Sequence, residues 1–344
     1  MSYNATLRIS NFRSIKDLQI EGLGQFNLFV GENNCGKSSV LEAFYMASAV
    51  PQLPLFAMNA GRGANSVQND DYITLFHDFN LNKPVTVHLS NGDYFRNVSV
   101  TAQQQERMPQ VVMNGMPREQ NRIGYYDISV TANSLKKPYT IHYNQKNVTS
   151  ERIILSDEEV DSLSADLSPR SVQFITAHWI NYNVVEYVNN LVVNKQKNSL
   201  IANLQLIDDR IRDIQIGNNN VIYADIGLAK LMPIHFIGLG VRKFISIASI
   251  VSSLKDGVLL IDEFENGLHY KTMDVLWNAV VSLCRERNIQ LFATTHSYEC
   301  IESFVNATKD GLTYRIERTE TGHRAVQYTS DDVSESIRRR WELR

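Results

Sequence analysis

The sequence predicts an α/β protein built on a mostly parallel core sheet, with an antiparallel β lobe and a helical insertion. Three observations carry that expectation. A glycine-bounded turn joins an apolar strand to a helix near the start, short β-rich runs follow it, and helix and strand alternate through the last third.

Taken in order, Thr6-Leu7-Arg8-Ile9-Ser10 and Lys16-Asp17-Leu18-Gln19-Ile20 alternate apolar and polar residues, which predicts two strands around Asn11-Phe12-Arg13-Ser14. Gln25 to Val30 reads as a buried strand. The apolar spacing from Ser39 to Ala47 then predicts a helix, so the first unit is strand, loop, helix. Glycine, asparagine and proline dominate Pro51 to Asp71, which predicts an irregular connection. Val85 to Leu89, Tyr94 to Val100, Tyr125 to Val130 and Tyr139 to His142, separated by polar turns, predict an antiparallel sheet. Ser156 to Asn194 and Ser199 to Ile214 read as mainly helical, the second through Leu200, Leu204, Ile207 and Ile211. Sustained heptads are absent, which argues against a long coiled-coil arm. Val241 to Leu254, Gly257 to Ile261, Tyr270 to Arg287 and Ile289 to Thr294 then read as helix, strand, helix, strand, the rhythm of a parallel sheet with helical crossovers. The expected division is an N-terminal lobe over 1–150, a helical insertion over 151–220 and a C-terminal lobe over 221–344.

Composition sets the outer limits. With 43% hydrophobic and 21% charged residues among 344, and Gly 17 and Pro 8, the chain reads as globular and excludes collagen-like or wholly disordered classes. Lys+Arg 34 against Asp+Glu 37 gives a net charge of −3, so no overall positive field draws it to nucleic acid or anionic lipid. Cys35, Cys284 and Cys300 are too few and scattered for a disulfide framework or a four-ligand zinc site. That usage suits a reducing compartment, with the cytoplasm the expected location. The N-terminal residues lack the pattern of a signal peptide, and no run reaches the length of a membrane-spanning helix, so no membrane partner is expected.

Gly31-Glu32-Asn33-Asn34-Cys35-Gly36-Lys37-Ser38 fits GxxxxGK[ST], and its flanking strand and helix are the context that the motif requires. In such a loop the backbone N–H groups of residues such as Asn33, Asn34, Cys35 and Ser39 face phosphate oxygens. The glycines permit close approach, Lys37 reaches the terminal phosphates, and Ser38 can ligate Mg²⁺. Cys35 admits two readings, a redox thiol near a helix N-terminus or a small residue covered by nucleotide.

Val258-Leu259-Leu260-Ile261 ends in Asp262-Glu263, two carboxylates at the carboxyl end of a strand, where a nucleotide crevice forms in such sheets. Asp262 then serves the metal, and Glu263 orients or deprotonates the attacking water. Gln290 to Ser297 is a second apolar strand, ending in hydroxyls and a histidine. His296 is therefore expected at the same sheet edge, within reach of a γ-phosphate. His77, His178, His235 and His269 keep a structural reading.

Together Asn11-Phe12-Arg13-Ser14, GENNCGKSSVLEA, LLIDEFENGLHY and ATTHSYECI resemble the AAA-type, ABC-like ATPases that include the RecF, SMC and OLD (overcoming lysogenization defect) proteins. The likeness is closest to the OLD-like branch and spans residues 1 to about 50 and about 230 to 344. The resemblance implies an ABC-like ATPase head that uses ATP and Mg²⁺ and works as a homodimer or higher oligomer. It also implies a signature loop that completes the partner's site in trans, here around Gly238 and Gly240, where the usual serine is missing and a plain glycine turn stays open as a reading. Asn266, in Glu265-Asn266-Gly267-Leu268-His269, resembles the D-loop at that interface. Arg13 resembles a residue that flanks adenine or phosphates, against the alternative of a surface arginine in a hairpin turn; Gln68 is a weak candidate for a sensor between lobes.

Three activities follow from the resemblance. The favoured one is the ATPase switch or sensor subunit of a two-protein anti-phage defence system, with a nuclease or toxin effector on another chain. The second is a RecF-like repair clamp that grips DNA, which predicts clustered Lys/Arg; the dense basic block is Arg338-Arg339-Arg340, also readable as a solvated helix end. The third, a self-sufficient nuclease or phosphotransferase, is weakest. Cutting relatives append a Toprim domain, 44 residues after Cys300 are too few for one, and Asp331-Asp332 reads as a solvated acidic turn.

Overall fold

A computed structural model describes residues 5–48, 73–91, 94–107, 112–113, 116–117, 123–133, 138–144, 171–176, 184–218 and 220–339. The connection Pro51–Asp71, Gln68, His178 and Arg340 lie outside them. In chain order the elements are β1 (Ala5–Phe12), β2 (Ile15–Leu23), β3 (Phe26–Val30), α1 (Lys37–Ser48), β4 (Val85–Asn91), β5 (Tyr94–Arg107), β6 (Val112–Met113), β7 (Met116–Pro117), β8 (Ile123–Asn133), β9 (Pro138–Asn144) and β10 (Val172–Ile175). There follow α2 (Val184–Val193), α3 (Lys197–Gln205), β11 (Asp213–Ile216), β12 (Ile222–Asp225), β13 (Met232–Pro233), α4 (Leu239–Ser253), β14 (Val258–Ile261), α5 (Tyr270–Glu286), β15 (Gln290–Thr294), α6 (Tyr298–Thr308), β16 (Leu312–Arg318), β17 (His323–Thr329) and α7 (Ser330–Arg338).

Two compact units divide the chain. One comprises Met1–Gly22, Glu42–Pro169 and Arg318–Arg324; the other comprises Leu23–Leu41, Arg170–Glu317 and Ala325–Arg344.

The first unit is built on the sheet β2-β1-β4-β5-β8-β9. Its strands alternate because one face is buried: Leu7 stands opposite Leu89 and Ile9 opposite Val87 across the antiparallel β1–β4 pair, all four inside. Each such side chain contributes about 1.5–3 kcal/mol by leaving water. Two buried arginines act on α1 within this unit. Arg96 donates to the carbonyls of Ala47 (2.9 Å) and Ser48 (3.3 Å), closing the helix C-terminus where a cation is favoured. Arg13 Nε lies 2.6 Å from Glu42 Oε2, both side chains under 10% exposed.

The second unit carries the sheet β10-β14-β15-β3-β16-β17. The pairs β10–β14, β14–β15, β15–β3 and β3–β16 are all parallel. Strands β3, β14 and β15 are buried at every residue, as strands covered on both faces must be; β14 is wholly apolar, while β3 buries Asn27 and β15 buries Gln290 and Thr294 among apolar neighbours. Helices α4, α5 and α6 supply the apolar cover. At its centre Trp277 stacks on Phe264 (centroids 3.6 Å apart, planes at 10°), meets Phe304 edge-on at 5.1 Å, and donates its indole N–H to Cys300 Sγ at 3.3 Å. This strand order sets β3, β15 and β14 side by side, so their carboxyl ends share one edge.

Some elements depart from the sequence reading. The segment read as helix from Ser156 contains β10, because Val172-Gln173-Phe174-Ile175 is a short apolar run that periodicity cannot assign and that pairs with β14. The helix read to Ile214 stops at Gln205: Leu200 and Leu204 lie on α3, whereas Ile211 is buried beyond it and Ile214 belongs to the β11–β12 hairpin. Asp331 and Asp332 are exposed, as a solvated acidic turn would be, but they form the first turn of α7, where Asp332 closes a capping box with Thr329.

Candidate phosphate-binding site

Strand β3 delivers the chain into the glycine loop at one required point. Gly31 has φ +140, and a Cβ there would lie 2.5 Å from the Ile316 carbonyl oxygen and 2.9 Å from Cys35 Sγ, so only glycine passes. Asn33 and Asn34 are exposed, whereas Cys35, Gly36 and Ser39 are buried. The loop closes by Val40 N donating to Gly36 O (2.9 Å), the first turn of α1. Lys37 folds back over it, its Nζ donating to the carbonyls of Gly31 and Glu32, each at 2.8 Å. Desolvation pushes the Cys35 thiol up, with the nearby Lys37 ammonium opposing, so the group stays protonated, and the reading as a covered loop residue is the one that fits.

At the end of β14 two acids are held from both sides. Asp262 N donates to Ile175 O at 2.8 Å, and Phe264 N donates to Thr294 O at 3.0 Å. Between these, the Thr294 hydroxyl donates to Asp262 Oδ1 (2.6 Å) and accepts from Glu263 N (2.8 Å). Ser38 Oγ donates to the same Asp262 oxygen at 2.9 Å. Glu263 has φ +48, a left-handed conformation rare for a residue with a side chain, and such strain recurs at functional turns.

His296 follows β15 beside this turn. Glu265 Oε1 accepts from His296 N (2.8 Å) and faces His296 Nδ1 at 3.0 Å, so the carboxylate fixes the ring from the Nδ1 side. The imidazole is half-exposed, and Glu265 Oε2 is buried with no hydrogen-bond partner.

Ser38, Asp262, Glu263 and, through Glu265 and Thr294, His296 therefore form one connected cluster with the Lys37 loop. Arg13 belongs to the other unit, bonded to Glu42. Gly238 caps the N-terminus of α4, and a Cβ there would meet nothing within 4 Å; the neighbouring Phe236 is 78% exposed. Asn266 N donates to Glu263 O at 2.9 Å, which closes the turn. A Cβ at Gly240 would sit 3.3 Å from Leu268, and one on Gly267 (φ +75) would run into Leu239 at 1.8 Å, so the start of α4 and this turn are interlocked.

Thr294 and Glu265 lie inside the stretches ATTHSYECI and LLIDEFENGLHY with no role of their own read from the sequence, and Lys243 joins the site from outside those stretches. Lys243, on α4, sends its ammonium to the carbonyls of Glu263 (2.9 Å) and Asn266 (3.3 Å). A lysine inside an otherwise apolar helix face is its only signal. Burial lowers its pKa from 10.5 to about 8, against the opposing pull of Glu265, Cys300, Glu263 and Asp262. Between those two values the unfolded chain binds the extra proton, so wild-type stability relative to Lys243→Met is expected to be flat below pH 8 and to rise by roughly 3 kcal/mol toward pH 10.5. Urea unfolding of both proteins at stepped pH measures this difference; a gap that stays constant across the window would refute it.

The donor set fits Mg²⁺ and a polyphosphate. Ser38 and Asp262 offer the hard oxygens that this ion takes, and the Lys37 ammonium, at rest on loop carbonyls, is free to exchange them for phosphate. The metal, when bound there, would neutralise charge on phosphate oxygens.

Comparison with known proteins bears on the site as a whole. The family described as the AAA ATPase domain matches residues 5–301. An ATP/GTP phosphatase of Helicobacter pylori is 23% identical over 326 residues, covering 86% of each chain. The DNA replication and repair protein RecF of Coxiella burnetii is 42% identical over 48 residues, 14% of this chain and 13% of that one. Among solved structures, the Smc head bound to the C-winged helix domain of ScpA aligns at TM-score 0.50 and 13% identity, over 97% of this chain and 100% of that one. An Smc head with an extended coiled coil, bound to the C-terminal domain of ScpA derived from Pyrococcus furiosus, aligns at 0.51 and 11%, over 98% and 99%. At such identities the likeness is one of fold, an α/β head with a mostly parallel sheet, an antiparallel sheet and helices, as the sequence predicts.

Proposed function

This chain belongs to the AAA ATPase domain family and is an ATPase, and from that premise we propose that it is a nucleotide-driven switch of an anti-phage defence complex whose nuclease or toxin effector is a separate chain. The observation that carries the catalytic part is the shared Asp262 oxygen, reached by Ser38 at 2.9 Å and by Thr294 at 2.6 Å, which joins the glycine loop to the acid turn. Lys37 leaves the loop carbonyls for the terminal phosphates. Ser38 and Asp262 would hold Mg²⁺, which would neutralise charge on the phosphate oxygens. Glu263 takes the proton of a water whose oxygen attacks the γ-phosphorus, the bond to the bridging oxygen breaks, and ADP departs. His296, held by Glu265, contacts the γ-phosphate from the other side. Two such heads close over nucleotide, with Gly238 and Gly240 presenting the α4 N-terminus, and Asn266 its turn, to the partner copy's phosphates; the open space at Gly238 supports that role. Opening after hydrolysis is the switch that frees or activates the effector.

The defence role rests on the likeness of LLIDEFENGLHY and ATTHSYECI to OLD-like proteins. Its test is phage challenge of cells that carry this gene with its genomic neighbour. Protection lost in Lys37→Ala is expected, and equal plaque counts with and without the wild-type pair would end the reading. A RecF-like DNA clamp is the second reading, favoured by the stretch of 42% identity to RecF. ATP-dependent, steeply salt-sensitive retention of duplex DNA by the purified protein would select it instead.

A further inference from the structure

Lys243 is a half-buried cation set against main-chain oxygen. Its Nζ bonds the carbonyls of Glu263 and Asn266 and stands 5.8 Å from the centroid of the Phe264 ring, so one ammonium holds both ends of the turn that carries the acids. Near it on α4 Val241, Phe244 and Ile245 are buried, and an apolar side chain would fill this position without the desolvation of a charge. The turn has reason to need a hold. Glu263 occupies a left-handed conformation that a side chain disfavours, and its backbone is pinned by Thr294 from β15 on one side and by Lys243 from α4 on the other. Helix α4 is in turn fixed to the same turn, since Leu239 covers Gly267 and Leu268 meets Gly240.

We propose that Lys243 is a positioning residue for ATP hydrolysis: it holds the Glu263–Asn266 turn so that the Glu263 carboxylate keeps its aim, and it ties that aim to the helix that starts behind Gly238. The inference rests on the reading of Glu263 as the base. It acts through the turn and touches no substrate, so its loss slows the chemical step while nucleotide uptake by the glycine loop persists. A displacement of about 1 Å at a reacting group costs up to a hundredfold in rate.

Steady-state ATP hydrolysis and calorimetric binding of a non-hydrolysable ATP analogue, on wild type, K243M and E263Q of the full chain, test it. K243M is expected to keep its circular dichroism, to hold analogue affinity and KM within about twofold, and to lose at least about tenfold in kcat. Unchanged kcat in K243M overturns the proposal, and so does loss of folding or of nucleotide affinity, since the lysine would then be a structural group. Wild-type turnover by E263Q overturns the base assignment, and with it any reason for Lys243 to aim that carboxylate. An inactive E263Q beside a fully active K243M overturns the positioning role alone.

Discussion

Replacing Lys37 by alanine abolishes ATP uptake in a titration at micromolar protein, while the protein stays folded. The ammonium sits on the carbonyls of Gly31 and Glu32 at 2.8 Å, two contacts that phosphate oxygens would replace with stronger, charge-assisted ones. A hydrogen bond to a charged group contributes about 1.5–3 kcal/mol, and at least two are lost, so affinity falls by about a hundredfold or more. Backbone N–H groups of the loop and the α1 dipole remain, but they act on phosphates that have lost their nearest cation. Isothermal calorimetry with ATP and Mg²⁺ measures the loss. An alanine variant with wild-type affinity would remove the phosphate-loop assignment altogether.

Glu263→Gln has the opposite signature. The amide keeps the size of the carboxylate and leaves the backbone bond from Glu263 N to Thr294 intact, so the turn and the nucleotide contacts stand. What disappears is the proton acceptor, and general-base catalysis contributes about 10²–10⁴ in rate. ATP affinity within about twofold of wild type is expected, with kcat down by about a hundredfold or more, and ATP-bound dimer accumulating in size-exclusion chromatography. Hydrolysis at the wild-type rate would take the base role away from Glu263.

These two residues were legible in the sequence because each follows a mainly apolar strand, Lys37 after the glycine loop and Glu263 directly after Asp262. Phe26 to Val30 precedes the glycine loop, Val258 to Ile261 precedes Asp262-Glu263, and Gln290 to Thr294 precedes His296, so position along the strand announced position at the sheet edge. What pairs with what was not legible. Glu265 holds His296 across 31 residues, and Thr294 bonds Asp262 across 32, neither with any local spacing to betray it. Lys243 lies 20 residues from the carbonyl of Glu263 that it bonds. Strand β10 escaped for a different reason: four residues are too few to show a period, and its strand state depends on the neighbour β14. Strands β16 and β17 complete the sheet beyond the last motif, where no chemistry-bearing residue drew attention to them.

The stack of Trp277 on Phe264 gives the molecule an optical probe at its own centre. Phe264 is the residue immediately after the two acids, so any movement of that turn changes the ring that shields the indole, and with it the emission of Trp277. The sequence has three tryptophans, and phenylalanine at Trp179 and Trp341 would leave this one alone to be watched. Nucleotide arrival, bond cleavage and product departure could then be timed in one cuvette, by stopped flow and without a label.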